Sequence, residues 1–234
     1  MVQFHETLHP NELPEFARLV KEGQTPRALF ITCADSRIVP NALTNTGPGD
    51  IFLIRNIGNI VPPYAQVQNG HADTSVAAAL EYSLNVLKIK NIILCGHSDC
   101  GALQAVRRFH ELPEDSHLRH WLSNAEVALT QHMAGRSLDP SVPAASQLAQ
   151  LNVLAQLEHL KQYPVVREKL ESGELILHGW YLEIETATVK VFHPGRNRFV
   201  RIEPEVIEEL RFLDRVFEQT PSVRFNLHDP TLFR

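Results

Sequence analysis

Two stretches decide how this chain folds: Ala28-Leu-Phe-Ile-Thr-Cys-Ala-Asp-Ser-Arg37 and Asn91-Ile-Ile-Leu-Cys-Gly-His-Ser-Asp-Cys-Gly101. Each opens as a short apolar run and closes on residues that can do chemistry. Residues 28–32 and 91–95 read as buried strands. Two such strands can bring Cys33, Asp35, His97 and Cys100 to the carboxyl edge of a parallel sheet, where open α/β sheets place their sites. Two cysteines and a histidine, with a carboxylate or water, complete a tetrahedral zinc shell that keeps one position open. Alone, a Cys-x-Asp pair or a His-x-x-Cys is usually structural. Together, each closing a strand, they read as a zinc enzyme.

Working outward, a further apolar run, Ile51-Phe-Leu-Ile54, follows the turn Gly47-Pro-Gly-Asp50. Glu174–Ile184 and Thr188–Phe192 read as two more strands, antiparallel because the link is so short. Helical patterns lie between: Thr74–Leu87, Ala-rich and carrying Glu81 and Tyr82; Gly101–Phe109; 117–133; and 145–162. Asn11 can cap a first helix with Pro14 in its first turn and Phe16, Leu19 and Val20 on one face. Val206, Leu210, Leu213 and Phe217 mark a last amphipathic helix, and the tail from Thr220 reads as irregular. Strands alternating with helices argue a mainly parallel sheet with helices on both faces.

The 234 residues fit one domain with extensions. A single domain over 1–234 is expected, with a helical arm over about 1–24 and a tail over about 220–234. The balance of 22 basic and 27 acidic residues argues against a nucleic-acid footprint. No apolar run approaches the ~18 residues of a membrane span. Met-Val-Gln-Phe-His-Glu lacks a basic region followed by an apolar stretch, so no secretory signal is expected. The three cysteines suggest no disulfide framework, and Cys95, inside a strand pattern, reads as an inert buried thiol. A reducing cytoplasm suits all three.

The order Cys33-Ala-Asp-Ser-Arg37, Arg55-Asn-Ile-Gly-Asn59, Glu81-Tyr82, Gly96-His-Ser-Asp-Cys-Gly101 resembles the β-class carbonic anhydrases, in their plant-type branch, over about Leu13 to Asp214. The resemblance implies an α/β fold with a mainly parallel sheet of about four strands and an antiparallel edge strand. It implies one Zn²⁺ per chain on Cys33, His97 and Cys100. The implied reaction is the reversible hydration of CO2 to bicarbonate and a proton by zinc-bound hydroxide. It also implies a homodimer or higher oligomer, with a tetramer expected, and a site shared between subunits. The helix around Phe16 and Leu19 could wrap the partner. A CS2 or COS hydrolase on the same zinc fold is an alternative. So is a non-catalytic zinc scaffold, against which the intact Asp35, Arg37 and ligands argue.

Beside a metal, Asp35 and Arg37 are more than a surface ion pair. Asp35 can accept a hydrogen bond from the hydroxide and aim it, while Arg37 pairs with Asp35 in bidentate fashion and keeps it off the metal. If that pair breaks, Asp35 can itself become the fourth ligand and close the site. Two thiolates cancel the charge of Zn²⁺, so its water should have a pKa above the ~7 of a three-histidine site.

The resemblance also assigns Gln24 to hydrogen-bond substrate, Phe52 and Ile57 to apolar walls, and Tyr82 to a proton relay. Val86 stands where some relatives place a His. The Gly101 N–H could stabilise a thiolate or an oxyanion, or the glycine could simply serve a tight turn. An inhibitory bicarbonate site found in another branch is expected to be missing or altered. Arg55 keeps its Arg, but Phe30 replaces its Trp and Leu182 aligns with its Tyr. His117 and His120, three apart on a helix, read as solvated surface.

Overall fold

A six-stranded sheet in the order β2-β1-β3-β4-β5-β6 organises the molecule. β1 (Ala28–Cys33), β2 (Ile51–Asn56), β3 (Asn91–His97) and β4 (Ile176–Glu183) are parallel. β5 (Thr188–His193) and β6 (Arg198–Arg201) follow antiparallel. This computed structural model describes residues 9–70, 72–206 and 208, with side chains from Leu13 onward.

Every position of β1 and of β3 is buried, which is why these strands read as continuous apolar runs rather than alternations. Side chains on one face join a large apolar cluster with Leu29, Ile31, Ile92 and Leu94; those on the other join Phe30, Ile93, Cys95 and Trp180. The parallel register sets Thr32 opposite Cys95, Cys33 opposite Asn56, and His97 opposite Leu182. Cys33, Asn56 and His97 therefore finish their strands at one edge.

The long helix Ala144–Gln162 crosses behind that edge. Gly96 permits its approach: a Cβ there would stand 2.6 Å from Val153 Cγ2. From the same helix, buried amides reach the loop after β2. Asn152 Nδ2 donates to the Gly58 carbonyl at 3.1 Å, and Gln156 Oε1 accepts from the Val61 N–H at 2.8 Å. Gln156 also donates to Asn152 Oδ1 at 3.0 Å, so the two amides satisfy each other as well as the loop.

Several expectations need correction. The antiparallel edge holds two strands, not one. β6 follows the turn Pro194–Arg196 and a left-handed Asn197, and four residues of Arg-Phe-Val-Arg are too few to show a period. β1 and β3 run further than 28–32 and 91–95, so Cys33 and His97 are the last residues of their strands. The first helix among the described residues, His9–Glu22, contains Pro14, so Asn11 lies within it and is not its cap. The Thr74–Leu87 pattern is an α-helix, Ser75–Glu81, that widens into a π turn at Tyr82–Val86, leaving Tyr82 and Val86 exposed. The pattern over 117–133 is two helices, His117–Leu122 and Glu126–Met133, around a 3₁₀ turn. The helix opening at Gly101 stops at Val106. Short helices at Pro40–Thr44, Tyr64–Gln68 and Pro164–Glu171 had no expectation. Val206 is helical and buried. Leu210, Leu213, Phe217 and the tail from Thr220 lie outside the described residues.

Candidate metal centre

At the shared edge, Cys33 Sγ, Cys100 Sγ and one ring nitrogen of His97 lie within 4.8 Å of one another, all on buried residues. Among the described residues no other three cysteine, histidine or acidic side chains form such a group. The sulfurs are 4.0 Å apart. Two thiolates held tetrahedrally at ~2.3 Å from one zinc would stand about 3.8 Å apart. The histidine fits equally well. His97 Nδ1 is 2.8 Å from the Ser98 carbonyl, which fixes the tautomer with the proton on Nδ1. Nε2 is then a bare lone pair, buried, with no hydrogen-bond partner among the described residues. A buried acceptor with no donor is expensive unless a cation takes it.

Cys33 is prepared for negative charge. Contact with Cys100, the adjacent His97 ring and the N–H groups of Asp35 and Gly58 together outweigh burial and lower the Cys33 thiol to about 4. The Gly58 N–H reaches Cys33 Sγ at 3.4 Å. Gly58 has φ +79 and a Cβ there would meet Ala102 Cβ at 3.2 Å, so glycine alone places this donor. Contact with Cys33, then burial, pushes the Cys100 thiol up, against N–H groups of Leu103 and Ala102 that pull it down. Two sulfurs this close cannot both ionise unless a cation sits between them.

Asp35 is held to one side. Arg37 Nε donates to Asp35 Oδ1 at 2.9 Å and Nη2 to Oδ2 at 2.8 Å, the bidentate pair expected, and the Arg37 N–H adds a third bond at 3.0 Å. Led by the Arg37 guanidinium, these contacts hold the Asp35 carboxyl well below the usual carboxylate range. Its Oδ2 is still 4.0 Å from His97 Nε2, so it borders the triad.

The remaining expected residues divide. Phe52 is half-buried against the core and its ring centroid lies 5.8 Å from that of Tyr82. Ile57 is exposed, and its carbonyl accepts from Trp121 Nε1 at 2.7 Å. Gln24 is exposed beyond the first helix. Gly101 opens its helix without a left-handed φ, and a Cβ there would meet no atom within 4 Å, so no tight turn demands glycine. Arg55 donates to the carbonyls of Cys33 and Asp35, at 3.2 and 2.6 Å, and so straps the turn that carries the site. Phe30 and Leu182 are buried in the cluster on the other sheet face.

Sequence reasoning missed Asp99, Gln104, Trp121 and Asn152. Asn152 and Gln156 stand four apart on one helix, a spacing that lets their two side chains meet. Asp99 lies inside the motif itself and was given no role.

A family profile described as carbonic anhydrase matches residues 28–189. The carbonic anhydrase of Pseudomonas aeruginosa is 38% identical over 213 residues, covering 88% of this chain and 91% of that protein. That of Synechococcus elongatus is 38% identical over 190 residues, 80% of this chain, and the match spans only 66% of its length. Among solved structures, the β-carbonic anhydrase CcaA superposes with TM-score 0.77 at 37% identity, covering 86% of this chain and 88% of that one. Tetrameric β-carbonic anhydrases from Sordaria macrospora give TM-score 0.63 at 30% identity, covering 82% and 97%.

Proposed function

This chain belongs to the β-class carbonic anhydrases, and we propose on that basis that it binds one Zn²⁺ through Cys33, His97 and Cys100 and hydrates CO2 reversibly to bicarbonate and a proton. The observation that carries the reading is the triad itself: three buried donor atoms within 4.8 Å, with Asp35 held beside them rather than among them. Zinc held by these residues would act as a Lewis acid that lowers the pKa of water and so supplies a nucleophile.

The chain's own residues set the conditions for that chemistry. Ser98 holds the His97 ring in the tautomer that offers Nε2. The N–H groups of Gly58, Ala102 and Leu103 disperse thiolate charge. Asp35, ionised by Arg37, offers its carboxylate as the acceptor that aims the nucleophile's remaining proton away from CO2. Should the Arg37 pair break, the same carboxylate is near enough to ligate and close the site. Phe52 and Ile57 wall an apolar approach suited to CO2, Gln24 hydrogen-bonds substrate, the Gly101 N–H stabilises a thiolate or a developing oxyanion, and Tyr82 passes the released proton outward. A scaffold would have no use for a carboxylate restrained this way, and no geometric feature favours CS2 or COS over CO2.

The site is assembled between subunits in this reading. β2 ends the sheet, and Leu53 on it, Ile57 just after it, and nearby Tyr82 and Val86 are exposed apolar side chains. Leu13, Phe16 and Val20 of the first helix are exposed too. A homodimer across this edge would cover both sets and bring Gln24 toward a neighbouring pocket, with a tetramer as the next step. No helix among the described residues is long and apolar enough to cross a membrane. The unpaired cysteines fit a reducing cytoplasm.

Stopped-flow CO2 hydration on zinc-loaded protein tests the activity. Turnover abolished by Asp35→Ala with zinc retained is expected; a zinc-loaded protein with no hydration above buffer would refute the reading.

A further inference from the structure

Arg37 is held on two sides. Its Nε and Nη2 engage Asp35, as described, and its far edge engages Asp99: Nη1 to Asp99 Oδ2 at 3.1 Å, and Nη2 to the Asp99 carbonyl at 3.0 Å. Asp99 is itself braced, because Gln104 Nε2 donates to its other oxygen, Oδ1, at 2.7 Å. The row Gln104–Asp99–Arg37–Asp35 thus leads from the helix after β3 to the carboxylate that borders the triad.

A surface ion pair is the ordinary reading of Arg37 and Asp99, whose side chain is 67% exposed. Three features set this one apart. Other exposed pairs, such as Arg18 with Glu15 and Lys161 with Glu158, join neighbours on one helix. Arg37 and Asp99 are 62 residues apart and bridge the ends of β1 and β3. Asp99 also has φ +53, a conformation that Asp and Asn tolerate better than most residues. Finally, both its side chain and its carbonyl meet the same guanidinium, so the turn before Cys100 is shaped around Arg37.

We propose that Asp99, braced by Gln104, is a positioning residue: it anchors the outer edge of Arg37 and so keeps Asp35 turned away from Cys33, His97 and Cys100. This rests on the gating reading of Asp35 and Arg37 given above. Arg37 bound only to Asp35 could move with it; bound also to Asp99, it cannot follow Asp35 toward the metal without breaking two further bonds.

Asp99→Gly deletes the carboxylate while accepting the left-handed backbone, and Asp99→Asn restores an acceptor in the same conformation. With one zinc per chain, Asp99→Gly should lower kcat about fivefold with little change in KM, the scale expected of one partly exposed charged contact in a network. Asp99→Asn should recover most of that loss, and Asp99→Gly should add nothing in an Arg37→Ala background. A crystal structure of zinc-loaded Asp99→Gly should show the Asp35 carboxylate turned to the metal. Wild-type kcat in Asp99→Gly, or an equal further loss in the Arg37→Ala background, overturns the role of Asp99 alone, provided that Arg37→Ala is itself impaired. If Arg37→Ala keeps wild-type turnover, the gating reading falls and the inference with it.

Discussion

Two places on neighbouring strands hold buried thiols with opposite characters. Cys95, in the body of β3, is 1% exposed, and burial pushes its thiol up to about 12. Cys33, the last residue of β1, is 4% exposed, yet its thiol is lowered to about 4. Burial is common to both, so burial does not make a ligand. What differs is the company at the strand end: a second sulfur, an imidazole with a bare nitrogen, and N–H groups freed where the ladder stops. β3 carries both environments, its interior an inert wall and its end a site, two residues apart at Cys95 and His97.

The sharpest way to break this contrast is to exchange sulfur for oxygen at each place. Cys33→Ser and Cys100→Ser should each lower CO2 hydration by more than about 100-fold, beyond the range of outer-shell changes. Cys95→Ser should keep turnover within about twofold while losing about 1–3 kcal/mol of stability for a buried hydroxyl. Stopped-flow assay with a denaturation curve for each variant checks this; equal losses of turnover at Cys33 and Cys95 would erase the distinction.

Next in size is the pair beside the triad. Arg37→Ala should lower turnover about 10- to 100-fold, as outer-shell contacts do, with the fold unchanged by circular dichroism. Wild-type turnover at pH 8 would mean that Asp35 needs no restraint.

The pH dependence sharpens the role of the sulfurs. A site with two thiolates is a weaker Lewis acid than one with three imidazoles, so kcat/KM should rise with pH through roughly 7 to 8.5. The loss toward lower pH should reverse on return. A flat profile between pH 6 and 9 with zinc bound throughout would contradict the thiolate argument.

The smallest effect is expected away from the edge, at His159 on the long helix. Burial holds its imidazole below the usual histidine range, against its bond to the Val61 carbonyl at 2.8 Å. A folded pKa below the unfolded one gives stability that is present above about pH 6.5 and lost as pH falls, because the unfolded chain takes the proton first. His159→Gln should make the fall in stability between pH 7 and 5 shallower, by at most about 1.4 kcal/mol per pH unit. Denaturant midpoints at the two pH values measure it, and an unchanged slope would assign the acid sensitivity elsewhere.

Most of the parallel sheet and the triad is legible in the sequence, because both rest on short-range signals. Buried strands announce themselves as apolar runs, and Cys33, His97 and Cys100 sit where those runs stop. The helix His9–Glu22 is less legible, since Asn11 and Pro14 together imitate a start signal inside it. β6 is invisible because Arg198–Arg201 owes its strand form to pairing with β5, a tertiary cause. Arg55 shows only as a charge next to Asn56, and nothing local says that it straps the Cys33–Asp35 backbone 20 to 22 residues away. Asp99 was within reach: an Asp just before a Cys-Gly is a candidate for the left-handed region, and the turn it makes faces Arg37.

The central claim is that Cys33, His97 and Cys100, and not Cys95, hold the metal. Elemental analysis of purified wild-type, Cys33→Ser and Cys95→Ser protein tests it most directly. The account predicts close to one zinc per chain in the wild type and in Cys95→Ser, and a sharp loss in Cys33→Ser, where a hard oxygen replaces a thiolate. One zinc per chain retained in Cys33→Ser would contradict it.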